Sequence, residues 1–436
     1  MLRQDIFGVT SIIRALVLLP SHYECILHFF HSTAIDIDKL LRFYWIWVSK
    51  SNLGYQYNGC PVFLGDHTKN TKDGRKIPAV ATLHQESETA SKPSYFRGHN
   101  WGCISMLTCI NEMMFSTPLW GQIHQPLNLM GVEEDYEPMT TRIVSMVSYI
   151  AKTIQKKGIL VLDAFFAVGP VFDKAKNNNN DVDITILTRA KSNIVAYCDP
   201  AIRKYKSWGR PRKYGKKLKL VKCFSYWKKK FLTAQATVYG NDEEIRYYSI
   251  PLIWRPIKRK ILFVWVQTSR GKIILMCSDL DMDPVKAIEM YCYRAKIETA
   301  FSVLKNIFGI TKYHFWSSHL FPQSRTPAKN DKKRKSTNPE KTKKTLRAIE
   351  IYFNIQAMVV GILQLICLKH THEVATKADT WLRTFNPKTP SEFMAKKAMQ
   401  NLFFKRFCCF DKNEIIDLIR QKQKHTPKRH FLKRAA

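Results

Sequence analysis

One stretch in the second half of the chain, residues 288–308, combines a helical apolar repeat with a stripe of polar side chains and contains neither Pro nor Gly. The apolar residues that recur at helical spacing are Ile288, Ile297, Phe301, Leu304 and Phe308. At about 100° of rotation per residue, four polar side chains fall within roughly 60° of one another: Tyr291, Arg294, Glu298 and Lys305. The spacing therefore predicts one continuous amphipathic helix, whose stripe combines a carboxylate suited to a metal ion with cations suited to phosphate.

A plainer interpretation of this stripe is an ordinary surface helix. Arg294 and Glu298 are four residues apart, so they would form an ion pair along the helix. Such a pair stabilises a helix by only about 0.2–0.5 kcal/mol and carries no function. The choice between the two interpretations depends on acids elsewhere in the chain.

Two hydrophobic strand-like runs upstream each end in an aspartate. Asp66 closes Pro-Val-Phe-Leu-Gly, and Asp163 closes Gly-Ile-Leu-Val-Leu. Each aspartate alone is weak evidence of a site, because Asp at a strand end is often only a turn former. Together with Glu298, they supply three carboxylates that a fold could bring to one place.

The three motifs occur in an order that resembles a known family. The spacing Y-x2-R-x3-E-x6-K, the D-x-T context of Asp66 and the D-A-x-F context of Asp163 are similar to those of bacterial insertion-sequence transposases of the DDE superfamily. The resemblance covers roughly residues 60–320. It implies a ribonuclease H-like catalytic core in which the three acids meet.

The resemblance also implies the chemistry of this site. Asp66, Asp163 and Glu298 would be both the catalytic residues and the metal ligands, holding Mg²⁺ or Mn²⁺, with two ions expected. Two such ions about 3.5–4 Å apart stabilise the attacking and leaving oxygens of a phosphodiester displacement. Mg²⁺ prefers oxygen ligands and keeps several waters, so a few carboxylates suffice.

Residues around the acids are candidates for DNA contact. Arg294 and Lys305 would bind a backbone phosphate near the cut, and Tyr291 would hydrogen-bond the same backbone. Some resembling transposases stack an extruded base on an aromatic side chain, an interaction worth roughly 1–3 kcal/mol. Three tryptophans flanked by cations are candidates for this role: Trp208, Trp227 and Trp254. Trp265 lies within an apolar run and is predicted to be a core residue.

Composition favours a polyanionic partner. The 436 residues include 70 Lys and Arg against 35 Asp and Glu, a formal charge of +35, which is the footprint of a nucleic-acid-binding protein. The cations are spread along the chain, which argues against a membrane-surface helix, and no run of 18 apolar residues occurs. No P-loop motif is present, so no nucleotide cofactor is expected.

The eleven cysteines form no C-x-x-C pair. This usage is typical of a reduced protein without a disulfide framework or structural zinc. We therefore expect a cytoplasmic protein. The resemblance implies that it is nucleoid-associated, that its partner is double-stranded DNA in the form of terminal inverted repeats and target DNA, and that it can form a homodimer in the synaptic complex.

The fold class expected is α/β: a ribonuclease H-like core interrupted by a β-rich insertion, with helical N- and C-terminal segments. The expected divisions are an N-terminal helical segment 1–60, a first core part 61–195, a β-rich insertion 196–280, a core helix with the catalytic Glu at 281–321, a basic disordered loop 322–345, and a C-terminal helical region with a basic tail at 346–436. The first segment is either a terminal-repeat-binding module or a helical pair that packs on the core.

The function expected is that of a transposase that binds its terminal inverted repeats and catalyses metal-dependent DNA cleavage and strand transfer. Two alternatives stay open. One is a non-catalytic basic DNA-binding protein derived from a transposase, and the other is a different two-metal DNA nuclease on the same fold. Metal-dependent nicking separates the first alternative from an enzyme, and preference for one inverted repeat separates the second from a transposase.

Overall fold

A mixed α/β architecture is built around one large sheet. The computed structural model describes residues 3, 5–16, 18–85, 93–124, 137–176, 182–201, 210, 212–327, 335–380, 382 and 386–409. The helices are α1 Gly8–Ala15, α2 His22–His31, α3 Ile37–Lys50, α4 Met139–Ile154, α5 Gly169–Lys176, α6 Cys223–Tyr226, α7 Pro284–Tyr293, α8 Ala295–Asn306, α9 Pro339–Lys369, α10 Thr371–Lys377 and α11 Glu392–Cys409. The strands are β1 Gln56–Tyr57, β2 Cys60–Thr71, β3 Ala81–His84, β4 Tyr95–Ile110, β5 Met113–His124, β6 Gly158–Leu162, β7 Ile184–Arg189, β8 Val195–Tyr197, β9 Lys217–Lys219, β10 Leu232–Val238, β11 Asn241–Trp254, β12 Arg259–Thr268 and β13 Gly271–Cys277.

The sheet has the strand order β3-β4-β2-β6-β7-β13-β12-β11-β8-β9, with β1, β5 and β10 pairing at its sides. Strands β2, β6 and β7 run parallel to one another, and the remaining pairs are antiparallel. The long helix α4 connects the β4–β5 hairpin to β6, and α5 connects β6 to β7. Parallel strands joined by helical crossovers are the βαβ arrangement of α/β proteins.

The central strand β6 is apolar at every position because both faces of the sheet are covered there. Leu160 and Leu162 point into one core with helix α4, whereas Ile159 and Val161 point into a second core with helix α7. The strand ends at Leu162, and the next residue, Asp163, is only partly buried.

The β-rich segment between 196 and 280 was predicted as an insertion. The sequence predicts four β-type runs in it, Leu232–Tyr239, Ile245–Ile250, Ile261–Gln267 and Ile273–Cys277, and the Arg270-Gly271 turn predicts a hairpin between the last two. All four strands and the hairpin are present, as β10 to β13. However, β13 pairs with β7 through Leu275↔Arg189, so these strands continue the main sheet. The segment therefore extends the core and does not stand apart from it.

The N-terminal helices pack on the core. Trp45 is fully buried, and its Nε1 donates to the Leu119 carbonyl at 2.9 Å. The Tyr44 hydroxyl donates to the Pro118 carbonyl, also at 2.9 Å. Of the two interpretations of residues 1–60, this placement supports the helical segment that packs on the core.

Helix α9 begins earlier than the sequence predicted, so the bound of the basic loop at residue 345 is wrong. The Asn338 side chain accepts a hydrogen bond from the Lys341 N–H and caps the helix, with Pro339 in its first turn. An Asn cap followed by Pro is an ordinary signal for the start of a helix. The sequence prediction gave more weight to the surrounding lysines and assigned these residues to the loop. Residues 328–334 of the predicted basic loop lie outside the described residues.

Helix α9 is long and apolar enough, by length and composition, to cross a membrane. In the fold, 72% of its most apolar 18-residue window is buried inside the protein. Its Phe353 stacks on Trp101 of β4 with ring centroids 3.8 Å apart. Helix α9 is therefore a core helix that packs against the sheet.

Candidate active site

Strand register brings two of the predicted acids together. In the parallel pair of β2 and β6, Leu64 lies opposite Val161. If this register is continued by two residues along both strands, Asp66 lies beside Asp163. The charge of Asp163 raises the pKa of Asp66, which is the electrostatic signature of this closeness. The apolar run was predicted to end its strand at Asp66, but β2 continues to Thr71, so Asp66 lies within the strand, whereas Asp163 directly follows β6. The two carboxylates therefore lie side by side where the parallel β2–β6 pairing ends.

Local packing fixes both aspartates. The imidazole of His67, on β2, stacks on Phe166, which lies in the turn after β6, with an interplanar angle of 13°. The Asp163 carboxylate accepts a hydrogen bond from the Phe165 N–H at 2.9 Å. The backbone carbonyl of Asp163 accepts a hydrogen bond from the Thr188 hydroxyl at 2.5 Å. The stack joins the two acid-bearing segments, and the hydrogen bonds hold the turn. These positioning contacts were not predicted, and only the aromatic residues next to each Asp could have suggested them.

The third acid reaches the site through Arg294. Arg294 Nη1 donates to Asp66 Oδ2 at 3.0 Å, and Nη2 donates to Glu298 Oε1. The Arg294 side chain is only 16% exposed, whereas that of Glu298 is 59% exposed. The i,i+4 ion pair of the plainer interpretation is therefore present. However, the Arg294 guanidinium also binds Asp66, which lies on the distant strand β2.

The predicted single helix from 288 to 308 is in fact two. Arg294 ends α7 and begins α8, and the backbone there makes short i,i+3 bonds: Arg294 N to Tyr291 O at 3.1 Å and Ile297 N to Arg294 O at 3.0 Å. No Pro or Gly marks the break in the sequence. The break coincides with the residue whose guanidinium binds Asp66, so tertiary contact has overridden the helical pattern.

Burial dominates the electrostatics of Asp66. It raises the pKa of Asp66 to about 6 and the charge of Asp163 adds to the rise, against the lowering effects of Arg294 and the His67 N–H. Burial alone would lower the pKa of Arg294, but the surrounding Asp66 and Glu298 charges outweigh it and raise that pKa. The unfavourable effect of burial on the Asp66 charge therefore exceeds the favourable effect of the Arg294 guanidinium beside it.

The donor set fits a hard divalent cation in chemistry. Asp66 and Asp163 offer carboxylate oxygens from two adjacent central strands, and the raised pKa of Asp66 indicates that more positive charge would stabilise its ionised form. In the present arrangement Arg294 lies between Asp66 and Glu298. Within the parts of the chain that the structure describes, no group of three or more His, Cys, Asp or Glu side chains is arranged to hold a metal.

The predicted DNA-contact residues of the stripe face inward more than expected. Tyr291 is 7% exposed and belongs to the core beneath α7, where burial raises its pKa to about 12. Lys305 Nζ donates to the Lys69 carbonyl at 3.1 Å, and burial lowers its pKa. Lys305 retains donors for a phosphate, whereas the placement of Tyr291 gives no support to a direct DNA contact.

The predicted tryptophans separate into different environments. Trp254 is 4% exposed and packs against Phe172 at 5.3 Å, so it is a core residue whose faces are covered, contrary to its candidate role. Trp227 is half-buried against Trp265, with ring centroids 5.0 Å apart. Trp265 is fully buried, as predicted. Trp208 lies outside the described residues.

Comparison with known proteins gives little further guidance. No family model matches the sequence, and no curated protein matches it. Among six solved chains that do match is a piggyBac transposase in a cryo-EM synaptic complex with hairpin DNA, at 13% sequence identity and a TM-score of 0.32. The alignment covers 84% of this chain and 57% of that one, so the chain spans little more than half the length of this protein. A superposition of this quality assigns neither a fold family nor a function.

Proposed function

We propose that this protein is a metal-dependent DNA strand-transfer enzyme, a transposase with a ribonuclease H-like core, whose catalytic acids are Asp66, Asp163 and Glu298. The observation that carries the proposal is the register of β2 and β6, which places Asp66 beside Asp163, together with the Arg294 bridge from Asp66 to Glu298. Two acids are therefore neighbours on adjacent strands, and Arg294 links the third acid to one of them.

The order of elements supports the ribonuclease H-like interpretation. Strands β2, β4 and β5 are followed by the long helix α4 and then by β6, whose end carries the second acid. That order matches the one expected of such a core. The formal charge of +35 supplies the attraction for DNA phosphates.

Each residue of the site has a defined task in this proposal. Asp66 and Asp163, held by the His67–Phe166 stack, would bind the metal from the sheet, and Glu298 would complete the set from α8. Mg²⁺ or Mn²⁺ bound there would neutralise charge on the attacking and leaving oxygens. Arg294 holds the acids together in the metal-free protein and, when released from Glu298, is placed to bind the phosphate of the cut strand.

The arginine bridge also gives the alternative its best support. The Arg294 guanidinium occupies the space between Asp66 and Glu298. A DNA-binding protein that has lost catalysis needs no metal there, so this arrangement is compatible with it. In that case the acids and Arg294 would form a structural ion-pair network only. Metal-dependent nicking decides between the two.

The test is nicking of supercoiled plasmid DNA by the full-length protein with Mg²⁺ or Mn²⁺. We expect nicked circles with the wild type, and none with Asp66→Asn, Asp163→Asn or Glu298→Gln, while gel-shift affinity for DNA is retained. Asp281→Asn, at an exposed acid outside the site, is the matched control and should nick normally. Nicking in EDTA, or by all three variants, would refute the proposed site. DNA binding without any wild-type nicking would favour the non-catalytic protein.

A further inference from the structure

An extended segment after α8, residues 311–318, alternates between the core and the surface. Its buried residues are Thr311, Tyr313, Phe315 and Ser317, and its exposed residues are Lys312, His314, Trp316 and Ser318. Trp316 is 63% exposed, an unusual state for a side chain with so large an apolar area. The exposed face therefore interleaves one aromatic ring with basic side chains.

The buried face anchors this segment firmly. The Tyr313 hydroxyl accepts from Trp101 Nε1 at 3.1 Å and lies 2.7 Å from His99 Nδ1. Phe315 packs on Phe30 with ring centroids 5.6 Å apart. A rigid base of this kind holds the Trp316 indole at the surface with little ordering entropy left to lose on binding.

Two hollows share Trp316 in their lining. The first has a volume of about 460 Å³, and its basic and histidine side chains are His28, His31, His319, Lys341 and Lys344, with Glu24 as the acid among its lining residues. The second, of about 400 Å³, is lined by Arg75, Lys76, His314 and Arg325. Trp316 belongs to the lining of both. Both hollows thus carry cationic and histidine side chains, and they share one aromatic ring.

The electrostatics of this surface favour an anion. Burial lowers the pKa of His314, and the neighbouring cations Lys72 and Lys312 lower it further, which indicates a positive local potential. Lys341 and Lys344 lie in the first two turns of α9, where the helix dipole adds positive charge. A polyanion with planar rings is the chemistry that this combination would recognise.

We propose that Trp316 and the two flanking hollows bind a single strand of DNA, with phosphates in the hollows and one unpaired base stacked on the indole. A paired duplex hides its base faces, so only a strand with an unpaired base gains the stacking. The strand β2 leads from the acids towards this surface: Asp66 to Thr71 spans roughly 17 Å at about 3.3 Å per residue. The inference rests on the proposed function only in taking DNA as the polyanion.

The test compares three probes: a 20-base oligothymidylate, a paired 20-base-pair duplex, and the same duplex with a central thymine bulge. Trp316→Ala should weaken binding of the first and third roughly 5- to 150-fold, the range that base–aromatic stacking supports, and change duplex binding less than twofold. Trp316→Phe, which keeps a ring, should retain most of the affinity. Trp47→Ala is the matched control, because Trp47 is 50% exposed on α3 and does not line either hollow.

The charges are tested separately through salt dependence. The double variant Lys341→Gln/Lys344→Gln should flatten the salt slope for oligothymidylate by about 1.4, that is, about 0.7 for each lost phosphate contact. Lys369→Gln/Lys377→Gln is the control, because these exposed lysines lie at the opposite end of α9 and in α10. An unchanged slope in the first double variant would remove these lysines from the site.

Several results would overturn the inference. Unchanged oligothymidylate affinity in Trp316→Ala, an equal loss in Trp47→Ala, or an equal loss for the paired duplex would each exclude base stacking at Trp316. Tighter binding of the matching RNA strand would reassign the site to RNA. Failure here is distinguishable from failure of the proposed function: wild-type nicking with unchanged oligothymidylate affinity in Trp316→Ala would exclude the stacking alone, whereas Trp316-dependent affinity without any wild-type nicking would exclude the enzyme alone.

Discussion

Replacing Asp66 by Asn tests the electrostatic state of the site without any knowledge of its DNA. Burial raises the pKa of this carboxyl to about 6 from the ordinary value of 3.8. The folded protein therefore holds the Asp66 proton more tightly than the unfolded chain does. Its contribution to stability is greatest below pH 3.8, falls as pH rises through 6, and is constant above that.

The magnitude follows from the size of the shift. About two pKa units correspond to about 3 kcal/mol at about 1.4 kcal/mol per unit, and roughly half of this change falls between pH 5 and pH 8. Asn cannot ionise, so the variant escapes this loss. The stability of Asp66→Asn relative to the wild type should therefore increase by about 1.5 kcal/mol from pH 5 to pH 8, whatever constant offset the lost Arg294 bond introduces.

The assay is thermal unfolding in EDTA at pH 5 and pH 8. With the 2–4 °C per kcal/mol typical of units of 150–250 residues, the midpoint difference between variant and wild type should grow by roughly 3–6 °C. Asp281→Asn, at an exposed acid, is the control and should give the same difference at both pH values. A constant difference for Asp66→Asn would refute a desolvated, undercompensated carboxyl at this position.

Three further changes test neighbouring parts of the account. Arg294→Ala removes the cation that lowers the pKa of Asp66, so NMR titration of that carboxyl should show its pKa rising above the wild-type value, and an unchanged pKa would contradict the bridge. Trp254→Ala should destabilise the fold by about 3–5 kcal/mol, seen as a lower melting temperature, because it empties a core position; a neutral effect would return Trp254 to the surface candidates. Gly361→Ala should cost about 1–3 kcal/mol, because the added methyl would overlap the Tyr44 hydroxyl that anchors α3; a thermal midpoint equal to that of the wild type would contradict that packing.

Apolar runs with clear boundaries could be read from the sequence. Strand β6 was predicted from Gly158 to Leu162 and has these bounds, because a continuous apolar run between a glycine and an aspartate has few other solutions. The hairpin at Arg270-Gly271 was likewise predicted from its turn residues. In both cases the determining information is local.

The features that the sequence did not predict depend on contacts between distant residues. The helix break at Arg294 has no local signal and coincides with the guanidinium that binds Asp66, 228 positions away. The joining of the β-rich segment to the main sheet depends on the β13–β7 pairing. The exposed Trp316 was missed, although the alternation of residues 312–318 could have suggested it.

The central claim is that Asp66, Asp163 and Glu298 hold one metal site, and iron-mediated cleavage of the protein tests it most directly. Fe²⁺ bound in place of Mg²⁺, with ascorbate and peroxide, generates radicals that cut the backbone next to the metal. We predict cuts of the full-length protein near all three acids, suppressed by excess Mg²⁺ and absent in Asp66→Asn. Cuts at none of these positions, or cuts near them that persist in Asp66→Asn and in excess Mg²⁺, would contradict a shared metal site.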